Sequence, residues 1–295
     1  MRAAENGKTV FILVEIKARF DEARNVENVQ KLDASGANVA YGLVGSKTHS
    51  KTSMVVRKDE DGIFREYVHV GTGNYNQVTA DVYSDCGILS CDVELARDVR
   101  TLFKHLMSRV DHPYYQFSTR TRMYRKLLVA PDFMHAAIMA LIKHETENAK
   151  KGKPAAIHAK MNGLDDKQIT DALYKASAAG VQIKLVVRGI CRIRPGVEGI
   201  SENIRVVSII GRFLEHHRIW RFQNAGDGEK KKKKPLYFFG SADWMTRNLK
   251  RRTEACVQIE DPKIQGTLLL LVVVVFVFFV FIFSFPVSLR ALSGR

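Results

Sequence analysis

A pattern of polar residues occurs twice in the chain, once in each half, and it constrains the fold more than any other feature. The first copy begins with His49 and Lys51, and a G-T-G-N turn starts 22 residues after this histidine, at Gly71. The second copy begins with His216 and Arg218, and a G-S-A-D turn starts 24 residues after its histidine. A single histidine with a cation two residues later occurs often by chance and predicts no function. Two copies, each followed by a matching turn, predict a duplication. We therefore expect two related lobes that build one site together.

Alternating strand and helix patterns in both halves predict an α/β fold. An apolar run at 10–15 precedes a helical pattern that ends at Gly36, and this order favours parallel strands. The second half repeats the order, since apolar runs at 155–162 and 181–189 flank a helical pattern at 165–180. Short strands that read as hairpins follow in each half and carry the histidine pairs.

These patterns divide the chain into domains. We expect a first domain at 1–110, a linker without periodicity at 111–124, and a second domain at 125–262. The uncharged apolar segment 267–286 is long enough, at ~1.5 Å per residue, to span a hydrocarbon layer of ~30 Å. It predicts either a transmembrane helix or a stretch that entered the sequence through an error in the gene prediction.

The composition narrows the class of ligand. Hydrophobic residues make up 46% of the 295 residues, which excludes a disordered chain. The net charge of +15 indicates a polyanionic ligand, such as nucleic acid, nucleotide, polyphosphate or acidic lipid, although solubility or loose nucleic-acid binding would also explain it. The four cysteines lack the spacing of a zinc site, so free thiols in a reducing compartment are expected.

Two histidines that each precede a cation suit phosphoryl transfer. Neutral imidazole is a competent nucleophile toward phosphorus at neutral pH, since its ordinary pKa lies near ~6.5. Lys51 and Arg218 follow His49 and His216 by two residues, so along a strand they point to the same face and reach oxygens of the same phosphate. His217 would point to the opposite face, and His216 is therefore the better candidate.

The turns that follow each pair are candidates for phosphate contacts. The backbone N–H groups of Gly71 and Thr72 can approach a phosphate closely, and Ser241 would add a hydroxyl. Asn74 and Asp243 are candidates to orient the histidines by accepting a ring N–H.

The stretches that contain both copies resemble a known enzyme family. The most specific of them read GLVGSKTHSK, YVHVGTGNYNQVTADVYSD, LVVRGICRIRPG and GSADWMTRNLKRR. They resemble the C-terminal catalytic half of bacterial-type polyphosphate kinases, which belong to the phospholipase D-like superfamily. The resemblance implies two phospholipase D-like α/β domains in tandem, and an N-terminally truncated fragment in which the first domain is incomplete.

The same resemblance implies an activity and roles for particular residues. The family reversibly transfers the terminal phosphoryl group of ATP to inorganic polyphosphate, with Mg²⁺, through a phosphohistidine. By motif, His49 would carry the phosphoryl group and His216 would be the acid/base partner. Tyr83 would bind the nucleotide, Arg188 would contact phosphates, and Arg19 would belong to a metal–phosphate site.

Partners and alternatives complete the expectations. The resemblance implies ATP, ADP and polyphosphate as ligands, a homo-oligomer, no specific nucleic acid, and a cytoplasmic location with membrane association if 267–286 is an anchor.

A phospholipase D-like phosphodiesterase is one alternative function, although Val56 stands where that family usually has an acidic residue. A catalytically inactive polyanion-binding fragment is the other.

Overall fold

The structure is a computed structural model with mixed α/β architecture, as the sequence predicts. It describes residues 1–15, 22–42, 46–111, 124–226 and 234–283. Arg19, most of the expected linker 111–124, and residues 284–286 of the apolar segment lie outside the described residues. The helices are α1 (Arg2–Glu5), α2 (Glu22–Ala34), α3 (Gln77–Val82), α4 (Val93–Asp111), α5 (Met134–Lys150), α6 (Lys167–Ala178), α7 (Thr246–Arg251) and α8 (Pro262–Phe283). The strands are β1 (Phe11–Val14), β2 (Asn38–Tyr41), β3 (Lys47–Thr48), β4 (Lys51–Lys58), β5 (Phe64–Gly71), β6 (Tyr83–Ser84), β7 (Gly87–Ser90), β8 (Leu127–Ala130), β9 (Ala156–Met161), β10 (Gln182–Val187), β11 (Ile204–Val207), β12 (Leu214–Glu215), β13 (Ile219–Phe222), β14 (Leu236–Gly240) and β15 (Arg252–Ile259).

The first half contains two small sheets. Strands β1 and β2 pair in parallel around helix α2, which ends where Gly36 adopts a φ of +82°, a value that favours glycine. Strands β4, β5 and β7 form a separate antiparallel sheet. Parallel pairing in this half is therefore confirmed only for β1 and β2.

The second half is organised around one large sheet. Its order is β11-β10-β9-β13-β14-β15-β3, and β8 also pairs with β15. Strands β9, β10 and β11 are parallel, whereas β13, β14 and β15 run antiparallel to their neighbours. Helices α5 and α6 cover one face, where Trp220 and Trp244 are fully buried, and helices α4 and α8 contribute to the core on the other face. Burial of apolar side chains on both faces holds these three layers together.

Each half gives a two-residue strand to the other half, directly before its histidine. Strand β3, which ends one residue before His49, lies parallel to β15 of the second half. Strand β12, which ends one residue before His216, lies parallel to β6 of the first half. These exchanges bring the two copies of the repeated pattern to the junction of the halves.

Helix α8 contains the described part of the apolar segment and packs on the large sheet. Leu268, Val272 and Phe276 are buried on this side of the helix. No helix within the described ranges has the length and apolarity that crossing a membrane requires. The predicted membrane span at 267–286 is therefore not confirmed.

Candidate active site

His49 is fixed by a carboxylate from the other half. Its ring Nδ1 lies 2.9 Å from Oε2 of Glu254, and its backbone N–H donates to the Thr253 carbonyl at 2.8 Å. Glu254 is completely buried on β15 and also accepts hydrogen bonds from the Ser241 hydroxyl and, at 2.6 Å, from the Asn248 amide. A carboxylate with this many donors in a dry site holds the ring in one orientation.

The surroundings of His49 favour its neutral form. Burial is the main reason why the pKa of His49 lies below its ordinary value, and the charge of Glu254 opposes this shift only in part. Lys51 is buried beside it and donates to the His49 carbonyl at 2.5 Å. Burial also lowers the pKa of Lys51 to about 7. With Nδ1 engaged, Nε2 is the ring nitrogen of His49 that remains for chemistry.

His216 has the corresponding environment, built from the first half. Its Nδ1 lies 2.7 Å from Oδ1 of Asp85, and its backbone N–H donates to the Ser84 carbonyl at 3.1 Å. The Thr72 hydroxyl donates to the same Asp85 oxygen at 2.6 Å. Burial lowers the pKa of His216, and the hydrogen bond to Asp85 acts against this shift.

The two carboxylates belong to the same internal duplication as the histidines. Thr72 precedes Asp85 by 13 residues, and Ser241 precedes Glu254 by the same number. In both cases the hydroxyl donates to the carboxylate, and the carboxylate contacts the histidine of the opposite half. The same set of contacts therefore occurs twice, and each histidine ring has its carboxylate partner in the opposite half.

The cation of the second copy lies against its histidine. Arg218 is buried, and its Nη1 lies 3.1 Å from Nε2 of His216 and donates to the Thr72 carbonyl at 3.1 Å. Its Nη2 donates to Asp243 at 3.4 Å, while the other oxygen of Asp243 accepts the backbone N–H of Asn162 at 2.6 Å. Asp243 therefore orients Arg218.

Most of the predicted site residues lie near this cation. The charge of Arg218 lowers the pKa of both His49 and His216, so both rings lie within its electrostatic reach. The Tyr83 ring lies 4.7 Å from the His216 ring, centroid to centroid. Arg188 is half-buried, donates to an amide oxygen at 2.5 Å, and also lowers the pKa of His216. Both histidines, both paired cations and two of the three family-derived positions, Tyr83 and Arg188, are thus grouped in one site.

Some predicted roles differ from what the structure contains. Asn74 is exposed, and the ring Nδ1 atoms are held by Asp85 and Glu254, so the prediction that Asn74 and Asp243 orient the histidines is wrong. The backbone N–H of Thr72 donates to the Cys86 carbonyl at 2.9 Å, and the Ser241 hydroxyl donates to Glu254, so both groups predicted to contact phosphate have partners within the protein. The equal 13-residue spacing is the sequence signal that would have identified both acids.

His217, in the segment between β12 and β13, does not share the contacts of His216. Its Nδ1 is 3.6 Å from Oε2 of Glu215, which also accepts a hydrogen bond from buried Lys160 at 2.5 Å. His217 therefore belongs to a supporting ion cluster, and His216 is the histidine that joins the site.

The site offers cations and few free metal ligands. Within the described ranges, no group of three or more His, Cys, Asp or Glu side chains could hold a metal ion. Asp85, Glu254 and Asp243 are each hydrogen-bonded to the groups described above. The arrangement suits a phosphate ligand, whose oxygens the cations would neutralise.

Two family models match the chain. The model described as polyphosphate kinase C-terminal domain 1 matches residues 1–112, and the model described as polyphosphate kinase C-terminal domain 2 matches residues 127–276. The second match extends into helix α8 and includes the first part of the apolar segment.

Individual relatives agree with these models. A polyphosphate kinase from Thermosynechococcus vestitus is 53% identical over 265 residues, and one from Dictyostelium discoideum is 49% identical over 258 residues. These alignments cover 90% and 88% of this chain but 34% and 23% of the relatives, so the chain spans a third or less of their length. The crystal structure of polyphosphate kinase from Porphyromonas gingivalis aligns with a TM-score of 0.74 at 37% identity, over 90% of this chain and 40% of that one. The chain therefore belongs to the polyphosphate kinase family and corresponds to its two C-terminal domains.

Proposed function

We propose that this chain is the catalytic part of a polyphosphate kinase, which moves the terminal phosphoryl group of ATP to inorganic polyphosphate through phosphorylated His49. The observation that carries the proposal is the reciprocal pairing of two histidines, whose pKa burial lowers, with carboxylates of the opposite halves, around the shared cation Arg218. This arrangement provides a fixed nucleophile, a second imidazole for proton movement, and positive charge for the phosphate oxygens.

The difference in access between the histidines assigns their roles. The His49 side chain is 18% exposed and its Nε2 is available, whereas the His216 side chain is 8% exposed and Arg218 lies against its Nε2. In our proposal, Nε2 of His49 forms a bond to the γ-phosphorus while the bond from that phosphorus to the bridging oxygen breaks and ADP leaves. A terminal oxygen of polyphosphate then attacks the phosphorus and frees His49. His216 exchanges a proton with the oxygen that leaves or attacks.

The cations would neutralise charge during both steps. Lys51 and Arg218 lie beside the two histidines, and Arg188 is close enough to influence His216. Tyr83, next to the His216 ring, would stack on the nucleotide base. ATP, ADP and polyphosphate are therefore the proposed ligands.

Among the described residues, no group of three or more His, Cys, Asp or Glu side chains could hold Mg²⁺. We propose that Mg²⁺ enters with the nucleotide phosphates as part of the substrate, since this ion keeps several waters and needs few protein ligands. Homo-oligomerisation, a cytoplasmic location and membrane contact remain predictions from the sequence.

The experiment that tests the proposal is phosphoenzyme formation. The purified chain would be incubated with Mg²⁺ and ATP labelled in the γ-phosphate, and acid-labile label on His49 would be mapped by peptide mass spectrometry. We expect His49→Gln to abolish the label and His144→Gln, on helix α5, to retain it. Undiminished label in the His49 variant would refute the role of this residue.

Both alternatives predict that labelled ATP leaves no phosphoryl group on His49, and each has a positive test of its own. An inactive polyanion-binding fragment would bind polyphosphate in a salt-sensitive manner without forming any phosphoenzyme. A phosphodiesterase would hydrolyse a phosphodiester without ATP or Mg²⁺. Either result would replace the kinase proposal.

A further inference from the structure

Strand β12, which precedes His216, is held in place by little apolar packing. It contains two residues and, among the described strands, pairs only with β6. Leu214 on β12 is 37% exposed and Phe213 just before it is 49% exposed, so burial of apolar surface stabilises this segment little. A short two-stranded sheet is marginally stable without such packing. Another contact is therefore needed to fix β12.

Glu215 provides this contact through an ion pair with Lys160. The Lys160 ammonium donates to Oε2 of Glu215 at 2.5 Å. Lys160 is 4% exposed and lies on β9, which pairs with both β10 and β13 inside the large sheet. Burial acts to raise the pKa of Glu215, but the hydrogen bond and the charge of Lys160 keep this pKa below its ordinary value. The last residue of β12 is therefore tied, as a carboxylate, to the large sheet.

Lys160 depends on Glu215 for its counter-charge. Among the described residues, Glu215 is the only acidic side chain within ion-pair distance of Lys160. The ammonium also donates to the Leu271 carbonyl of helix α8 at 3.4 Å. A buried ammonium with one carboxylate partner holds that partner firmly, because separation of the pair would leave an uncompensated charge in the protein interior.

The first half completes this group through Ser84 on β6. Ser84 is the register partner of Glu215, and its hydroxyl donates to the Leu214 carbonyl at 3.4 Å. The same hydroxyl lies 3.5 Å from Nδ1 of His217, and this nitrogen lies 3.6 Å from Oε2 of Glu215. The group thus joins β9 and β12 of the second half to β6 of the first half.

Strands β6 and β12 carry the groups that surround His216. Tyr83 lies on β6, and its ring centroid is 4.7 Å from that of His216. Asp85 directly follows β6 and contacts Nδ1 of His216 at 2.7 Å. A shift of β12 relative to β6 would therefore change both contacts of the His216 ring. A misplacement of about 1 Å at a catalytic group can cost ~10²-fold in rate.

We propose that Lys160 and Glu215 are positioning residues, which hold the His216 ring against Asp85 and Tyr83 without touching the reacting atoms. Lys160 fixes Glu215, Glu215 fixes the end of β12, and β12 presents His216 with its Nδ1 hydrogen-bonded to Asp85. The expected effect on rate rests on the proposed function. His49 is held by Glu254 on β15 instead, so its orientation does not depend on this ion pair.

The test compares the removal of one charge with the removal of both. Glu215→Gln alone leaves the buried ammonium without its counter-charge and is expected to destabilise the fold. Lys160→Met combined with Glu215→Gln removes both charges, and replacement of a whole buried ion pair is tolerated far better than loss of one partner. The matched control is Glu147→Gln, the same change in an exposed ion pair with Lys150 on α5. Urea denaturation verifies that each variant is folded.

The readout is the tautomer of His216, measured by ¹⁵N NMR on the histidine-labelled chain without ATP. Spectra are recorded on the alkaline side of neutral pH, because burial lowers the pKa of His216 and the ring is then neutral. His216→Gln and His49→Gln identify the two sets of resonances. We expect the unmodified chain and the control to carry the His216 proton on Nδ1, and the double variant to show a mixture with the proton on Nε2. His49 should keep its tautomer in all of them.

The rate of His49 phosphorylation gives a second readout. We expect the double variant to be labelled by γ-labelled ATP up to about a hundredfold more slowly, the cost of a misplaced catalytic group. The control should be labelled at the rate of the unmodified chain.

A folded double variant in which His216 keeps its proton on Nδ1 would overturn the proposal, because the ion pair would then serve stability alone. If the double variant does not fold, Glu215→Asp keeps both charges, shortens the side chain by one methylene group and should give the same mixture of tautomers; an unchanged tautomer there would overturn the proposal as well. The NMR measurement needs no turnover. A changed His216 tautomer in a chain that forms no phosphoenzyme would therefore reject the proposed kinase chemistry and keep the positioning role.

Discussion

The His49 half and the His216 half of the site use the same construction but differ in their contact with water. The side chain of Glu254 is 0% exposed, whereas that of Asp85 is 22% exposed. A carboxylate that is sealed from water holds its partner more rigidly, because no solvent competes for its hydrogen bonds. In the proposed mechanism this difference in burial would separate two roles, with His49 fixed for attack and His216 left with a route for protons.

The cations of the two halves differ in chemistry as well. Lys51 is an ammonium whose pKa burial lowers to about 7, whereas Arg218 is a guanidinium, which stays protonated in proteins. One half of the site therefore loses positive charge as the pH rises, and the other half keeps it.

The largest expected effects come from replacing the carboxylate of Glu254 or of Asp85 by an amide, and they concern the rate at which His49 is phosphorylated. We expect Glu254→Gln to slow phosphorylation of His49 by roughly a thousandfold. The carboxylate accepts a hydrogen bond from Nδ1–H and so leaves Nε2 unprotonated for attack, whereas an amide can stabilise the tautomer with the proton on Nε2. Asp85→Asn should slow the same step by only about a hundredfold, the lower end of the ~10²–10⁴-fold range of an acid/base contribution. Rapid-quench measurement of a single turnover with labelled ATP gives both rates.

The order of these two effects decides the assignment. Thermal unfolding of both variants serves as the control for folding, and His144→Gln serves as the control for a neutral change elsewhere. A larger loss of labelling in Asp85→Asn than in Glu254→Gln would show that His216, and not His49, accepts the phosphoryl group.

The pH dependence of anion binding should distinguish the contribution of Lys51 from that of Arg218. Because burial lowers the pKa of Lys51 to about 7, the fraction of charged Lys51, and with it the help to a bound anion, declines as the pH rises through this region. We expect the affinity for tripolyphosphate to fall about five- to tenfold between pH 7 and 8, because a site that takes up one proton on binding loses up to tenfold per pH unit. Isothermal titration at constant ionic strength measures the dissociation constant.

Lys51→Arg separates this cation from the histidines. Burial keeps the pKa of both His49 and His216 below the ordinary value, so their protonation adds pH dependence mainly at lower pH. The arginine variant should bind tripolyphosphate with a nearly flat profile over the same interval. A profile as steep as that of the unmodified chain would exclude Lys51 as its source.

The parts of the fold that follow local periodicity were predictable. Helix α6, the strands β9 and β10 around it, and the end of α2 at Gly36 agree with the sequence patterns. Both histidine–cation pairs were also found, because a duplication can be recognised without knowledge of the fold.

The partners across the halves were not predictable in this way. His49 contacts a residue 205 positions away, and His216 contacts one 131 positions away, through strands of two residues that have no periodicity of their own. Strand β15, which carries Glu254, was not predicted either. Asn74 and Asp243, the predicted orienting groups, lie in the same halves as their histidines, whereas the duplication places the actual partners in the opposite halves.

The smallest expected difference concerns the hydroxyls that hold the two carboxylates. Ser241→Ala leaves fully buried Glu254 without one donor, and we expect it to lower the free energy of unfolding by about 1–3 kcal/mol, the cost of an unsatisfied buried group. Thr72→Val removes the matching donor from Asp85, which water can reach, and should cost about 0.5–1.5 kcal/mol. Urea denaturation measures both, and an unchanged dependence on urea concentration would show that the unfolded state is unaffected. Equal costs, or a larger cost for Thr72→Val, would mean that the exposure of Asp85 does not weaken its half of the site, and the division of roles by burial would fail.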